Sequence, residues 1–161
     1  MTTRINKLII GCVALAFCLL SCSRNEVFFD YLPIGSAGWL ETDTLVFNPV
    51  IDDSLSTYNL FLEVRNDNRY AYQNLWLYID GLQGADIVAP FPPPFEVLLA
   101  NEFGKWHGKG FSIVYELSVP YLQGVRFSHA GEQRITIRHG MDNTPLVGIK
   151  SIGFRVVKSK K

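Results

Sequence analysis

Three histidines are the side chains of this sequence best suited to bind a metal ion or move a proton. They are His107, His129 and His139, and none lies in an HxH or HExxH spacing or beside a cysteine. Zinc sites use those arrangements because the metal needs several nitrogen or sulfur ligands at once. No GxSxG motif offers a nucleophilic serine, and no pair of carboxylates is set apart for acid–base work. The sequence therefore predicts no catalytic residue, no metal, no cofactor and no enzyme activity.

The glycine-rich segment 104–110 reads Gly-Lys-Trp-His-Gly-Lys-Gly. Its last three residues suggest a phosphate-binding loop, but the order GxxxxGK[ST] is missing and no helical pattern follows it. We expect instead that the glycines allow positive φ in a tight connection between strands, with Trp106 packing inward.

One cysteine has a spacing with a chemical purpose. Arg4 and Lys7 precede an apolar run over residues 8–20, which is shorter than the roughly 20 residues that a membrane-spanning helix needs. The run ends in Leu-Leu-Ser-Cys22, which resembles the bacterial lipobox. In a lipobox, a diacylglycerol is attached to the cysteine thiol and the bond before it is cut. We therefore predict a lipoprotein signal peptide over 1–21 and a lipidated amino terminus with a short tether over 22–26. An uncleaved anchor or an ordinary signal peptide is the alternative.

Cysteine usage agrees with a lipid anchor. Cys12 and Cys18 lie in the apolar run, so the mature chain would keep only Cys22. A single cysteine excludes an internal disulfide and a cysteine-rich zinc site. Stable anchoring requires more than one acyl chain, and bacterial lipoproteins carry two or three on this residue. The covalent lipid is thus the only non-protein group we expect.

The charge balance argues against nucleic acid as a partner. The 161 residues have a formal net charge of zero, and removal of the signal leaves 13 basic and 15 acidic residues. Nucleic-acid binding needs a clustered basic surface, and only residues 158–161 are locally basic. We expect these last residues to be a solvated tail.

The elements that position these residues are short strands. Apolar and polar residues alternate over many segments, and no segment has a helical period. The predicted strands cover 27–29, 44–48, 59–65, 70–80, 95–100, 111–117, 125–128, 133–139 and 149–157. We expect Pro120 to end a strand, and the proline-rich residues 90–94 to form a stiff crossing loop or a docking segment. The fold class predicted is all-β, a single antiparallel β-sandwich domain over 27–158, either immunoglobulin-like or jelly-roll-like.

Residues 59–65 and 70–80 flank Asn66-Asp67-Asn68, which predicts a β-hairpin with this turn. Candidate partner-binding residues cluster around that hairpin and in the glycine-rich loop. They are Asn59, Arg65, Asn66, Tyr70, Tyr72, Asn74 and Trp106. A buried core explains the aromatic members equally well. Arg65 and Asn66 are harder to place in a core, because buried polar groups need partners.

Four blocks of the sequence carry a family pattern. The first is Trp39 with residues 43–47, and the second covers residues 58–66 with Tyr70, Tyr72, Asn74 and Leu75. The third is the loop 104–110, and the fourth runs from Met141 to Val156. In this order they resemble the gliding-motility lipoproteins of the GldH type over nearly all of the mature chain. Two features depart from the pattern. Gln133 stands where the family usually has an aromatic residue, and the prolines of residues 91–94 are local to this chain.

The resemblance implies a lipoprotein of the Bacteroidetes cell envelope that is needed for surface gliding and linked to type IX secretion. Relatives also occur in non-gliding members of the phylum, and the family has no established enzyme activity or cofactor. We therefore expect a non-catalytic accessory or assembly factor that contacts the membrane through its lipid and other envelope proteins through its surface. Ser23-Arg24-Asn25-Glu26 holds one acid and one base, which favours the periplasmic face of the outer membrane over surface export. The alternative is a β-sandwich that binds envelope carbohydrate or peptidoglycan, since tryptophan and tyrosine often stack on sugars.

Overall fold

The structure, a computed structural model, describes residues 25–82 and 94–159. These residues form eleven β-strands and no helix. Among the described residues there is thus no helix long and apolar enough to cross a membrane. The strands are β1 (Glu26–Pro33), β2 (Leu45–Phe47), β3 (Val50–Ile51), β4 (Tyr58–Asp67), β5 (Asn74–Asp80), β6 (Phe95–Leu98), β7 (Lys109–Phe111), β8 (Val114–Val125), β9 (Gly131–Glu132), β10 (Ile135–His139) and β11 (Ile149–Lys158). The predicted signal peptide, Cys22 and most of the proline-rich segment lie outside the described residues.

The strands build two packed sheets and a small third one. One sheet has five strands in the order β1-β11-β4-β8-β7, and the second has four in the order β2-β10-β5-β6. Strands β3 and β9 pair separately, and every pairing is antiparallel. The all-β, antiparallel sandwich predicted from the sequence is confirmed.

Alternating apolar residues meet between the two sheets and form the core. In β4, Leu60, Leu62 and Val64 are fully buried, and Leu62 lies opposite Phe154 of β11. The rings of Phe154 and Phe47 lie 5.9 Å apart and join the five-stranded sheet to the four-stranded one. Burying such side chains stabilises the domain by roughly 1.5–3 kcal/mol each, which explains why alternation with a period of two sets the fold.

The predicted hairpin between β4 and β5 is wrong. β4 pairs with β11 and β8, whereas β5 pairs with β10 and β6 in the other sheet. Asn66 and Asp67 do not turn the chain, because they continue β4: Asn66 pairs with both β8 and β11, and Asp67 pairs with β8. Residues 68–73 then carry the chain across from one sheet to the other. Alternation shows which residues face the core, but it does not choose the neighbouring strand.

Pro120 does not end its strand. β8 continues to Val125, and its register against β4 shifts so that Phe61 pairs with Pro120 while Leu60 pairs with Leu122. The extra residue between them, Tyr121, makes a bulge. A bulge in a strand near the sheet edge accommodates a residue without an amide hydrogen, so the proline is tolerated there.

Strand bounds differ from the predictions at several places. β1 begins one residue earlier than expected and runs to Pro33, paired with β11 along its length. No strand follows Val125 over residues 126–128, and β6 stops at Leu98.

The two ends of the sandwich are closed by different segments of the chain. At one end the amide of Lys158 donates to the carbonyl of Asn25 (2.7 Å), and the amide of Ser159 donates to that of Thr57 (2.8 Å). We call this the N-terminal end. At the opposite end, the far end, the amide of Asp67 donates to Gly148 (2.8 Å), and Trp39 forms a β-bridge with Leu146.

Candidate functional site

The crossing between the sheets, residues 68–73, lies at the far end and is tightly packed. Tyr70 is buried and its hydroxyl donates to the carbonyl of Asn74 (2.7 Å). Its ring packs edge-on against that of Tyr72, with centroids 5.7 Å apart. Tyr72 is half-buried and accepts a hydrogen bond from the side chain of Asn143. The crossing thus places one tyrosine in the core and leaves the other partly open to solvent.

Trp106 fastens the glycine-rich loop to this crossing. The indole NH donates to Oδ1 of Asn68 (3.1 Å), the ring lies 5.8 Å from that of Tyr115, and the backbone bridges to Ala100. The side chain is half-buried, so the expectation that it packs inward holds in part. Lys109 and Gly110 belong to β7 and not to the loop.

A turn before Trp106 holds Phe103 in the solvent. Oδ1 of Asn101 accepts hydrogen bonds from the amides of Phe103 (3.0 Å) and Lys105 (2.9 Å), which fixes the turn. Phe103 is 84% exposed. The turn is therefore fixed by hydrogen bonds, and the exposed ring of Phe103 adds little packing energy to the domain.

The far end carries most of the exposed apolar side chains. Eight large hydrophobic residues are exposed in the described part of the chain, and five of them lie here. These five, which we call the far-end apolar surface, are Leu40, Leu98, Phe103, Ile113 and Val147. Single exposed leucines are ordinary on soluble proteins, whereas these five side chains lie at the same end of the sandwich.

Arg65 lies on the outer face of the five-stranded sheet, near the far end. Its Nε is 2.7 Å from Oε2 of Glu116, and its guanidinium carbon is 3.8 Å above the ring of Tyr31. The hydrogen bond that Arg65 donates to Glu116 raises the pKa of Arg65, and burial raises that of Tyr31. Arg65 and Glu116 keep about two fifths of their side-chain surface exposed, at 39% and 46%, so an external group can still reach the pair.

A second charged group on the same face is enclosed. Arg155 Nε lies 2.7 Å from Oε1 of Glu63, which also accepts a hydrogen bond from the hydroxyl of Ser118 (2.9 Å). The guanidinium covers the ring of Phe61 at 4.2 Å. Only 5% of the Glu63 side chain is exposed, so this group serves the fold.

The structure separates the seven candidate binding residues. Asn59 lies at the N-terminal end, where its Oδ1 accepts hydrogen bonds from Gly124 (3.0 Å) and Ser159 (3.3 Å). Asn66 and Tyr70 are 1% and 4% exposed, so neither presents a surface for a partner. The expectation that Asn66 avoids the core is wrong, and its Nδ2 has no hydrogen-bond partner among the described residues.

The other four candidates remain accessible near the far end. They are Arg65, Tyr72, Asn74 and Trp106, and all four are half-buried. Nδ2 of Asn74 donates to Oε1 of Glu96 (2.6 Å). Their role in binding stays a prediction.

One residue pair at the far end, Trp39 and His139, was not predicted from the sequence. His139 is fully buried, and its ring packs edge-on against Trp39 at 5.2 Å. Burial lowers the pKa of His139, whose Nδ1 accepts a hydrogen bond from the amide of Met141 (3.3 Å). The indole NH of Trp39 donates to the carbonyl of Asp43 (3.0 Å). The alternation of Ile135 and Ile137 continues to position 139, and that signal could have placed this histidine in the core.

The described residues contain no group of three or more histidine, cysteine or acidic side chains placed to hold a metal ion. An open cleft of about 700 Å³ lies beside β7 and is lined in part by His107, Lys109 and Leu117. Two further lining side chains are bonded within the sheet, Glu116 to Arg65 (2.7 Å) and Ser118 to Glu63 (2.9 Å).

Comparisons with known proteins point in one direction. Residues 26–156 match the family model described as GldH lipoprotein. The chain is 29% identical over 153 residues to the gliding motility lipoprotein GldH of Flavobacterium johnsoniae, covering 88% of this chain and 90% of the relative. It is 31% identical over 148 residues to a gliding motility lipoprotein GldH homolog of Christiangramia forsetii, covering 86% and 88%.

A solved structure, dimeric latent PorU from Porphyromonas gingivalis, is similar at a TM-score of 0.33 and 9% identity. The similarity covers 87% of this chain and 14% of that one. A likeness this remote supports no conclusion about fold or function.

Proposed function

Because this chain belongs to the GldH lipoprotein family, we propose that it is a lipid-anchored, non-catalytic accessory factor that holds a protein partner of the gliding or type IX secretion machinery. Its relatives are named as gliding motility lipoproteins and cover almost the whole chain. The finer role is supported by the geometry of the far end and by the motif at Cys22.

The anchor orients the domain. Cys22 precedes Asn25, the first described residue, by three positions, and three extended residues span at most about 11 Å. Asn25 is bonded to Lys158 at the N-terminal end. A lipid on Cys22 therefore keeps this end beside the membrane. Because β11 has ten residues and each advances the chain by about 3.3 Å, the far end is held roughly 30 Å away.

The observation that carries the proposal is the position of the far-end apolar surface. Leu98, Phe103 and Ile113 flank the loop that Trp106 fastens, and Leu40 and Val147 flank the bridge of Trp39 to Leu146. The accessible candidates Arg65, Tyr72 and Asn74 lie near the same end. Protein interfaces combine an apolar, aromatic centre with a polar rim and arginine, which is the composition found here.

We place the protein on the periplasmic face of the outer membrane. The residues after Cys22 hold one base and one acid, Arg24 and Glu26, and so lack the acidic run of surface-exported lipoproteins in this phylum. The partner in this arrangement is an envelope protein within reach of the far end.

The test is capture of partners from native envelopes by crosslinking, with the full, lipidated chain carrying a tag. Phe103→Ser and Leu98→Ser should each reduce the amount of a specific crosslinked protein. Val50→Ser is the matched control, because Val50 is 61% exposed and Leu98 59%, but Val50 lies toward the N-terminal end. Equal capture by all three variants would refute far-end docking. Binding of the folded chain to a glycan array, with no protein captured, would favour the carbohydrate-binding alternative.

A further inference from the structure

A leucine at the N-terminal end is exposed without serving the fold. Leu55 lies in the loop of residues 52–57 and is 85% exposed. The loop is well fixed, because Oδ1 of Asp53 accepts a hydrogen bond from the Leu55 amide (2.9 Å) and Oδ2 accepts one from the Ser56 hydroxyl (2.5 Å). The hydroxyl of Tyr58 also donates to the carbonyl of Asp53 (2.6 Å). An ordered loop therefore presents this apolar side chain to the surroundings.

A lysine neutralises the carboxylate at the base of this loop. Lys158 Nζ lies 3.1 Å from Oδ2 of Asp53, and hydrogen bonds from Ser56 and Lys158 lower the pKa of Asp53 to about 2. The carboxylate is thus ionised but paired, which reduces its repulsion from an anionic or apolar surface. The lysine side chain is 34% exposed, and its ammonium has further hydrogens to donate.

The same lysine ties the loop to the tether. The amide of Lys158 donates to the carbonyl of Asn25, and its side chain reaches Asp53, whose carboxylate holds the amide of Leu55. Lys158, at the end of β11, and the carboxylate of Asp53 therefore link Leu55 to the tether. Because the tether spans at most about 11 Å, a lipid on Cys22 would hold this end of the sandwich, with the loop on it, on the membrane side.

We propose that residues 52–57 are a membrane-contact loop in which Leu55 enters the edge of the lipid bilayer and Lys158 faces lipid phosphates. Val50 is 61% exposed on the strand that leads into the loop and adds a second apolar contact. Apolar side chains beside cations are the composition of protein surfaces that lie in a membrane interface. The loop rests on the proposed anchor at Cys22. Its effect is to limit the tilt of the domain and so to set the height of the far end.

The test uses the full, lipidated chain in phosphatidylethanolamine and phosphatidylglycerol vesicles. Acylation blocks the thiol of Cys22, and Cys12 and Cys18 lie in the predicted signal peptide, so an introduced cysteine is the only free thiol. Leu55→Cys is labelled with an environment-sensitive fluorophore. Phe103→Cys is the matched control, because the two positions are 85% and 84% exposed but lie at opposite ends.

Vesicles with brominated acyl chains should quench most of the emission of the label at position 55 and leave that at position 103 unchanged. Equal quenching at both positions, or none at position 55, would overturn the membrane-contact loop. Protection of position 55 from iodide without quenching by brominated lipid would mean that a second copy covers it, and would also overturn the proposal. Flotation with the vesicles is measured separately. Its loss would refute the anchor itself and the loop with it, whereas flotation without quenching refutes only the loop.

Discussion

The indole of Trp39 packs edge-on against the imidazole of His139, with ring centroids 5.2 Å apart, in a part of the core that excludes water from both rings. A charged imidazolium is unfavourable in such surroundings, although Glu41 and Asp43 partly offset the cost. Burial lowers the pKa of His139 below its ordinary value, which lies near 6.5 in the unfolded chain.

Stability should therefore fall as the pH drops below about 6.5, because the unfolded chain then binds a proton at His139 that the folded chain does not. Thermal unfolding between about pH 7 and about pH 5 measures this effect. The variant His139→Phe removes the titrating group and should lose part of the pH dependence, whereas the exposed His129→Phe should keep it. The explanation fails if His139→Phe and the wild type have the same pH profile.

Gly148 should tolerate a side chain poorly. It has φ of +96°, and a Cβ there would lie 2.2 Å from the amide nitrogen of Tyr70. Gly148→Ala must strain the backbone and displace the crossing between the sheets. We expect a loss of about 2–4 kcal/mol in the free energy of unfolding, measured by urea denaturation.

Gly104→Ala is the matched control for this prediction. Gly104 also has positive φ, at +76°, but no atom lies within 4 Å of the position of an added Cβ. Its cost should be limited to backbone strain, about 1 kcal/mol. Equal losses of unfolding free energy for the two variants would mean that the close approach to Tyr70 does not add to the cost of Gly148→Ala.

Two arginine–glutamate pairs on one face of the sheet should differ in their contribution to stability. The distance is 2.7 Å in both, but Glu63 is enclosed whereas Glu116 is 46% exposed. Glu63→Gln leaves Arg155 without its partner in a partly buried site and should cost about 2–4 kcal/mol. Glu116→Gln should cost less than about 1 kcal/mol, because water screens the exposed pair. Urea denaturation of the two variants in parallel decides this, and a larger loss for Glu116→Gln would contradict the prediction.

Cys22→Ser should separate folding from location. The variant lacks the thiol on which we propose the lipid is carried, and Cys22 precedes the first strand, β1, in the sequence, so we expect the domain to unfold at an unchanged temperature. In membrane fractionation, the variant should appear as unlipidated protein, either soluble or with its signal peptide still attached. Cys18→Ser is the control, because a predicted signal residue that bears no lipid can change without loss of the anchor. Normal lipidation of Cys22→Ser would refute this cysteine as the attachment site.

Sequence patterns predicted the fold where local chemistry decides it. In β4 and β11 the residues with a period of two are those that face the core, because only that spacing puts apolar side chains on one face. The strands that β4 and β5 pair with could not be predicted in this way. Both strands present apolar faces to the same core from opposite sheets, and the residues between them resemble a hairpin turn in composition.

The candidate site was predicted only in part, for a related reason. Asn66 is polar and was expected at the surface, but it continues the inward-facing positions of β4 and is buried with it. Gln133 is also buried, with Nε2 donating to the carbonyls of His129 (3.0 Å) and Gly131 (3.3 Å). A loop carbonyl that comes within reach of such a side chain is set by tertiary structure, and no local pattern reports it.

The pairing of β1 with β11 has a mechanical consequence. Seven residue pairs join the two strands, and β1 begins at the end where we propose that the lipid is attached. A pull between the membrane and a partner on the far end would act along the strands and load all of these hydrogen bonds in shear at once. Ladders loaded in this direction must slide as a whole before any pair separates, whereas a peeling force opens them one by one. If the proposed anchor and far-end partner hold, β1 is oriented to carry such a load without unravelling the sandwich.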